Sequence, residues 1–194
     1  MRAATTAFVA NGYDGTSMGE IATAAGVSKQ TVYKHFKDKE TLFTEVVEAT
    51  ASQTNDIVES VTMLLSEAQF LEGGLQQLAR RMTAALMDEE LLKLRRLIIA
   101  NADRMPQLGR SWYEKGFERM LASVASCFQK LTDRGLLRTS DPRMAASHLF
   151  GMVLWIPMNE AMFTGRNPRS KADLERHADA SVEAFLAAYG ARSK

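Results

Sequence analysis

Residues 12–43 read GYDGTSMGEIATAAGVSKQTVYKHFKDKETLF, and two short helices joined by a tight turn are written in this stretch. Ser17 with Glu20 three residues on is a capping-box pattern that opens the first helix. Gly26 closes it, Ser28 caps the second, and Asp38 caps a longer segment beyond. Met18, Ile21, Ala22 and Ala25 share one face of the first helix, and Val32 and Phe36 share one face of the second. Small residues at Ala22, Ala25 and Gly26 let the two approach closely at a steep angle, as a helix-turn-helix requires.

At about 100° per residue, Gln30 and Lys34 fall opposite the inward Val32, with Thr31 and Tyr33 on the flanks. A helix in the major groove meets base edges along its outermost line and phosphates along its sides. Gln30 and Lys34 are therefore the expected base readers, and Thr31 and Tyr33 the expected phosphate contacts. Gln can read adenine bidentately and Lys can reach guanine acceptors. Lys29, in the first turn, can do either. Helix starts bearing Thr16, Ser17 and Ser28, and later Lys39, offer N–H groups and charge to further phosphates. Four lysines and one acid between Lys29 and Lys39 concentrate positive charge there, although the whole chain carries only +1. The same stretch also reads as a solvated lysine face, and helix-turn-helix geometry occurs in modules that touch no DNA.

Outward from this motif, the chain has 194 residues, 46% of them hydrophobic and 4 of them proline, enough for a substantial core and incompatible with a disordered or collagen-like chain. Apolar spacing is helical nearly throughout, with no sustained alternation, so the expected fold is all-α. The segment capped by Asp38 runs without Gly or Pro to Gly73, which predicts one long fourth helix with no flexible linker. Further helices are predicted from Gly73 to about Met87, from Glu89 to about Arg104 before Pro106, and from about Leu108 to Arg134. Two more follow, from Asp141-Pro142 to near Phe163 and from the Ser170 cap to Tyr189. Gly73-Gly74 reads as a turn between helices. Pro157 predicts a bend in the helix that contains it.

A single cysteine, Cys127, forms no intramolecular disulfide, and the start of the chain lacks the layout of a signal peptide, so a cytoplasmic location is expected. The apolar stretch 145–159 is too short to span a membrane. The histidines are scattered, Cys127 has no recognisable partner, and no metal, nucleotide or hydrolase signature is found. Catalysis, a metal and a cofactor are therefore not expected.

Most of the methionines and both tryptophans lie in the second part of the chain. Such residues at helical spacing build ordinary cores, and they also line adaptable apolar cavities. Candidates for a ligand cavity are Met87, Leu97, Trp112, Phe117, Met120, Met152 and Trp155, with Asn101, His148 and Asn159 as polar groups to orient a ligand. His148 also reads as a buried or interface histidine. The helix from Met144 to Phe163 is apolar almost all round, more than one core can cover, and with the last helix it predicts a four-helix homodimer interface.

The run TSMGEIATAAGVSKQTVYKHFKDKETLF resembles the N-terminal domain of TetR/AcrR-type transcriptional regulators, carrying the Ala-Gly-Val-Ser turn, Thr-Val-Tyr-x-His-Phe, and Lys-Glu-x-Leu-Phe at the start of the fourth helix. The resemblance implies phosphate contacts at Thr16, Ser28, Thr31, Tyr33, His35 and Lys39, and base contacts at Lys29, Gln30 and Lys34. More loosely, LRRLIIANADRMPQLGRSWYEKG and HLFGMVLWIPMNEAMFTG are similar to the C-terminal regions of the AefR-like branch. On that resemblance, residues 1–45 are a DNA-binding domain and 46–194 a helical ligand-binding and dimerisation domain. The expected partners are a double-stranded inverted-repeat operator, a small-molecule effector and a second copy of the chain. Because the first-helix pattern is already under way at Ala3-Ala4, a further N-terminal segment is expected. The alternative reading is a helical small-molecule-binding protein or enzyme with a relict helix-turn-helix.

Overall fold

The computed structural model describes residues 1–67 and 70–191. Helix α1 (Arg2–Asn11) turns Ala4 and Phe8 inward, α2 spans Met18–Ala24, α3 spans Lys29–His35, and α4 runs from Lys39 to Glu67. Phe8 packs against Phe43 of α4 in a tilted pair with ring centres 4.7 Å apart, and Tyr13 closes on Phe43 at 5.2 Å. Met18, Ile21, Ala22 and Val32 complete this small core. Ala25 and Val27 are exposed instead, so the α2–α3 approach rests on Ile21, Ala22 and Val32.

The next helices are α5 (Leu71–Leu86), α6 (Glu89–Asn101) and α7 (Pro106–Trp112). A π-helical stretch over Tyr113–Glu118 runs into α8 (Arg119–Asp133), followed by α9 (Pro142–Thr164) and α10 (Lys171–Tyr189). All described regular structure is helical apart from an isolated bridge between Leu137 and Gly190, which ties the α8–α9 connection to the end of α10.

Three boundaries differ from those read in the sequence. The fourth helix is described as far as Glu67, Phe70 lies outside any helix, and Gly73 and Gly74 sit in the first turns of α5 rather than between helices; residues 68 and 69 of the predicted span lie outside the described residues. Each glycine costs a helix roughly 1 kcal/mol relative to alanine. The stripe Leu75, Leu78, Ala79, Met82 and Leu86, all buried, outweighs that cost at about 1.5–3 kcal/mol per large side chain. Pro106 starts α7, and its predecessor already ends at Asn101; Met105, kept out of the helical conformation before the proline, closes the corner by donating its N–H to the Asn101 carbonyl at 2.8 Å. The single helix predicted for 108–134 is interrupted by the π-helical stretch. Pro157 lies inside α9 without ending it.

A second, larger core joins the far half of α4 to α5, α8, α9 and α10, with Phe128 and Phe185 fully buried at its centre. Helices α4 and α6 serve both cores. Val46 and Val47 belong to the first and Val58 and Val61 to the second, while Leu91 and Leu92 face the second and Leu94 and Ile98 the first. Trp112 packs against both. The two cores therefore share rigid elements, and a displacement of α4 or α6 is felt by both.

Candidate functional site

The sequence holds α3 out from the molecule by local bonds alone. Glu20 donates its N–H to Ser17 Oγ at 3.2 Å and returns a carboxylate to the Ser17 N–H at 2.8 Å, fixing the start of α2. Gly26 then takes φ +68°, a left-handed conformation that a side chain resists, and Val27 donates to the Ala22 carbonyl across the turn. Ser28 Oγ accepts the Thr31 N–H at 3.1 Å. Val32 is the only buried residue of α3; Lys29, Gln30, Thr31, Tyr33, Lys34 and His35 are all exposed. Lys29, its ammonium 5.9 Å from the Tyr33 ring centre, and Lys34 form no ion pair among the described residues. Such a helix, its lysines exposed and its Ser28 and Thr31 hydroxyls joined to each other at 2.8 Å, can meet polyanionic strands without first breaking an ion pair.

Thr16 and Lys39 stand differently from the rest of the expected contacts. Thr16 is buried, and its hydroxyl is spent on the Gly12 carbonyl at 2.7 Å, with the Ala7 carbonyl at 3.1 Å, so it closes the α1–α2 loop instead of offering a hydroxyl outward. Lys39 Nζ donates to the Tyr13 and Thr16 carbonyls at 2.8 and 3.0 Å and lies 4.5 Å from the centre of the Tyr13 ring. It fastens α4 to that loop, with one N–H left over. Ser17 and Ser28 remain exposed at their helix starts.

The second feature is an apolar cavity of about 460 Å³ between α4, the end of α5, α6, the end of α7, the π-helical stretch, the start of α8, and α9. Trp112, Phe117, Met120, Trp155 and Asn159 line it as the sequence suggested. The other five ligand candidates do not. Met87 ends α5 inside the larger core, and Leu97 packs on the smaller one. Asn101 donates to the Leu97 carbonyl and accepts from Arg104. His148 is turned to the outer face of α9, where Nδ1 meets the Tyr189 hydroxyl at 2.5 Å. Met152 is exposed, and its carbonyl accepts the Ser181 hydroxyl at 3.1 Å. A helical wheel says which residues point inward, but the meeting of several helices decides which inward residues leave space.

Sequence reasoning missed Arg95. It lies on α6 in register with Leu91 and Ile99, lines the cavity, and holds its guanidinium 5.9 Å from the centre of the Trp112 ring. Burial lowers its pKa from the ordinary arginine value. The signal available was a cation interrupting the apolar run of LLKLRRLIIA at helical spacing. Also missed was the π-helical stretch, whose wide turn brings Gly116 and Phe117 to the cavity wall. A Cβ at Gly116 would stand 3.6 Å from that of Ala51, so α4 passes close to this wall.

Residues 1–46 match bacterial regulatory proteins of the tetR family, and residues 73–191, more than half of the chain, match the AefR-like transcriptional repressor C-terminal domain. The chain belongs to the TetR family. It is a DNA-binding transcriptional regulator of a ligand-responsive class. A crystal structure from Mesorhizobium loti MAFF303099, described as a TetR-family transcriptional regulator, is 82% identical over 97% of this chain and 94% of that one, with a TM-score of 0.95. The flavonoid-responsive regulator FrrA is 28% identical, covering 99% of this chain and 95% of its own, with a TM-score of 0.77. The transcriptional regulator AcrR of Shigella flexneri matches at 46% identity over 50 residues, 26% of this chain and 23% of AcrR's length. In this TetR-family chain no helix among the described residues is long and apolar enough to cross a membrane.

Proposed function

We propose that the protein is a cytoplasmic repressor that binds an inverted-repeat operator as a homodimer and leaves it when a small molecule fills the cavity, acting by binding rather than turnover. Residues 1–45 read DNA and 46–194 bind the effector and pair the subunits. Gln30 and Lys34 contact base edges, with Lys29 beside them. Ser17, Ser28, Thr31, Tyr33 and His35 hold phosphates, and Lys39 adds charge beside the backbone it fastens. Thr16 supports these contacts from behind, through the loop it closes.

The observation that carries this reading is the exposed, unpaired outer line of α3 on a helix with one buried residue. Pairing is supported by α9, where Met144, Met152, Trp155, Ile156 and Phe163 are exposed along one helix, and by the exposed alanines Ala180, Ala184, Ala187 and Ala188 of α10. A two-fold pair with α3 helices about 34–36 Å apart, or somewhat beyond, meets successive major grooves. The ligand response is supported by Trp112, which lines the cavity and packs on both cores, and by the name of FrrA. Selection of bound duplexes from a random pool tests the proposal: enrichment of an inverted repeat, bound by two chains, is expected. Recovery of no sequence above background would overturn it.

A further inference from the structure

We propose that the effector is an amphipathic monocarboxylate whose carboxylate pairs with Arg95 while its apolar body fills the cavity. The inference rests on the reading of that cavity as the effector site, and it adds the chemical class.

The cavity wall is apolar except at a few points, and Arg95 is its one charged residue among those described. Three other polar side chains of the wall are engaged at least in part, and the two indole N–H groups of Trp112 and Trp155 are neutral single donors. Thr54 and Ser147 give their hydroxyl hydrogens to the Thr50 and Met144 carbonyls, and Asn159 gives its amide to the Trp155 carbonyl. Among the described wall residues, Arg95 alone presents charged donors. It has no ion pair and no hydrogen bond among the described residues, while its neighbour Arg96 is paired with Glu89 and with the Ala161 carbonyl. Among the described residues, most arginines and lysines paired with an acid stand at the surface; a guanidinium drawn into an apolar wall beside an indole ring is an unmet demand for an anion.

The anion's type follows from charge and shape. A guanidinium matches a carboxylate fork for fork with two parallel hydrogen bonds. One carboxylate neutralises one guanidinium, whereas a phosphate monoester leaves surplus negative charge in a space with no second cation, a costly arrangement away from water. A cavity of about 460 Å³ falls in the range of small-molecule sites. Trp112 and Trp155, the chain's two tryptophans, both line it, so intrinsic fluorescence reports occupancy directly.

The test is titration of the full chain with decanoate and 4-phenylbutyrate, each against its primary amide, with decyl phosphate as the dianionic control, by calorimetry and tryptophan fluorescence. Each carboxylate is expected to bind roughly 10- to 100-fold more tightly than its amide, the margin of a charge-assisted hydrogen-bonded pair, and more tightly than decyl phosphate relative to chain length. In Arg95→Met the carboxylate preference is expected to vanish while amide binding persists, which also certifies that the variant is folded; Arg95→Lys is expected to keep part of the preference. Equal binding of acid and amide, a preference for the phosphate, or a preference surviving Arg95→Met overturns the carboxylate assignment and leaves the cavity as an effector site. Failure of acids and amides alike to perturb either tryptophan overturns the cavity reading itself.

Discussion

Arg104 grips Asp14 with both arms of its guanidinium, Nη1 to Oδ2 at 3.1 Å and Nη2 to Oδ1 at 3.0 Å, and stands 5.2 Å from the centre of the Tyr13 ring. The pair joins the corner after α6 to the α1–α2 loop. Since Arg95 and Trp112 flank the same corner, the cavity and the DNA-reading module are connected through a short, rigid path. Both side chains are largely solvent-exposed, so the pair contributes little to global stability. Its expected role is positional. In Arg104→Ala, the melting temperature is expected to move little, while amide exchange in residues 13–24 accelerates. Unchanged exchange there would remove the connection.

Gln30→Ala and Lys34→Ala are expected to cost about 1–3 kcal/mol each at one defined operator position and to relax base preference there. Lys39→Met is expected to behave differently because its ammonium already serves two carbonyls. It should weaken all duplexes alike, lower the salt slope by at most about one, and also lower folding stability by about 1 kcal/mol. Binding to a panel of operator variants at several salt concentrations, with denaturant melts beside it, separates these effects.

Acid should destabilise the fold with a defined sign. Hydrogen bonds from the Ser17 backbone to Glu20, from the Thr41 backbone to Asp38, and from Lys115 and Ser111 to Glu48 hold these carboxyls below their ordinary range, as Arg104 does for Asp14. A depressed folded pKa means that the unfolded chain binds more protons in the window between the two values. The stabilisation is therefore complete above the unfolded carboxylate range, about pH 4–4.5, and is lost as pH falls through the folded values. Melting temperature is expected to be level from pH 7 to about pH 5 and to fall below; Glu48→Gln should flatten that fall.

Cys127 is expected to be inert in the native protein. Its thiol is buried, donates to the Thr62 carbonyl at 3.4 Å, and is pushed up to about 11 by burial. The thiolate is the reactive form, so at pH 8 an aromatic disulfide reagent should titrate no thiol in the folded chain and one after denaturation. Rapid native labelling would mean that α8 opens from α4 far more often than this packing allows.

The parts legible in the sequence were those dictated locally. Ser17, Ser28, Asp141 and Ser170 each cap the helix expected of them, because a cap is settled by bonds three residues apart. The outward line of α3 was legible because one buried residue, Val32, fixes the orientation of seven. The cavity was half legible: Trp112 and Trp155 line it, while Met87 and Leu97, apolar residues also at helical spacing, pack into the cores. Which side chains leave a gap depends on seven elements meeting, and no single helix carries that information. Gly73 misled because its helical cost is paid by Leu75 and Leu78, which lie further along. The π-helical stretch has no periodic signature; Gly116, where α4 passes close, is its one trace.

That stretch carries the last prediction. Asn55 of α4 donates its side-chain amide to the Lys115 carbonyl at 2.5 Å, while its own Oδ1 is buried without a partner among the described residues. Two opposing effects follow from Asn55→Ala. The Lys115 carbonyl loses its donor, and an orphaned acceptor disappears from the interior, so the net loss should be modest, about 1 kcal/mol. Asn55→Asp keeps the shape but sets a carboxylate against a carbonyl. Buried beside an acceptor, that acid has a raised folded pKa, so its penalty is full at neutral pH and shrinks as pH falls toward the folded value, where the protonated group can donate to Lys115 as the amide did. Denaturant melts of the variant should therefore show stability recovering relative to wild type between pH 7 and pH 5, the opposite trend to that of the surface carboxylates. A constant deficit across that range would mean the α4 contact relaxes and admits water, and α4 would then be too loosely held at this point to transmit a change in the cavity wall.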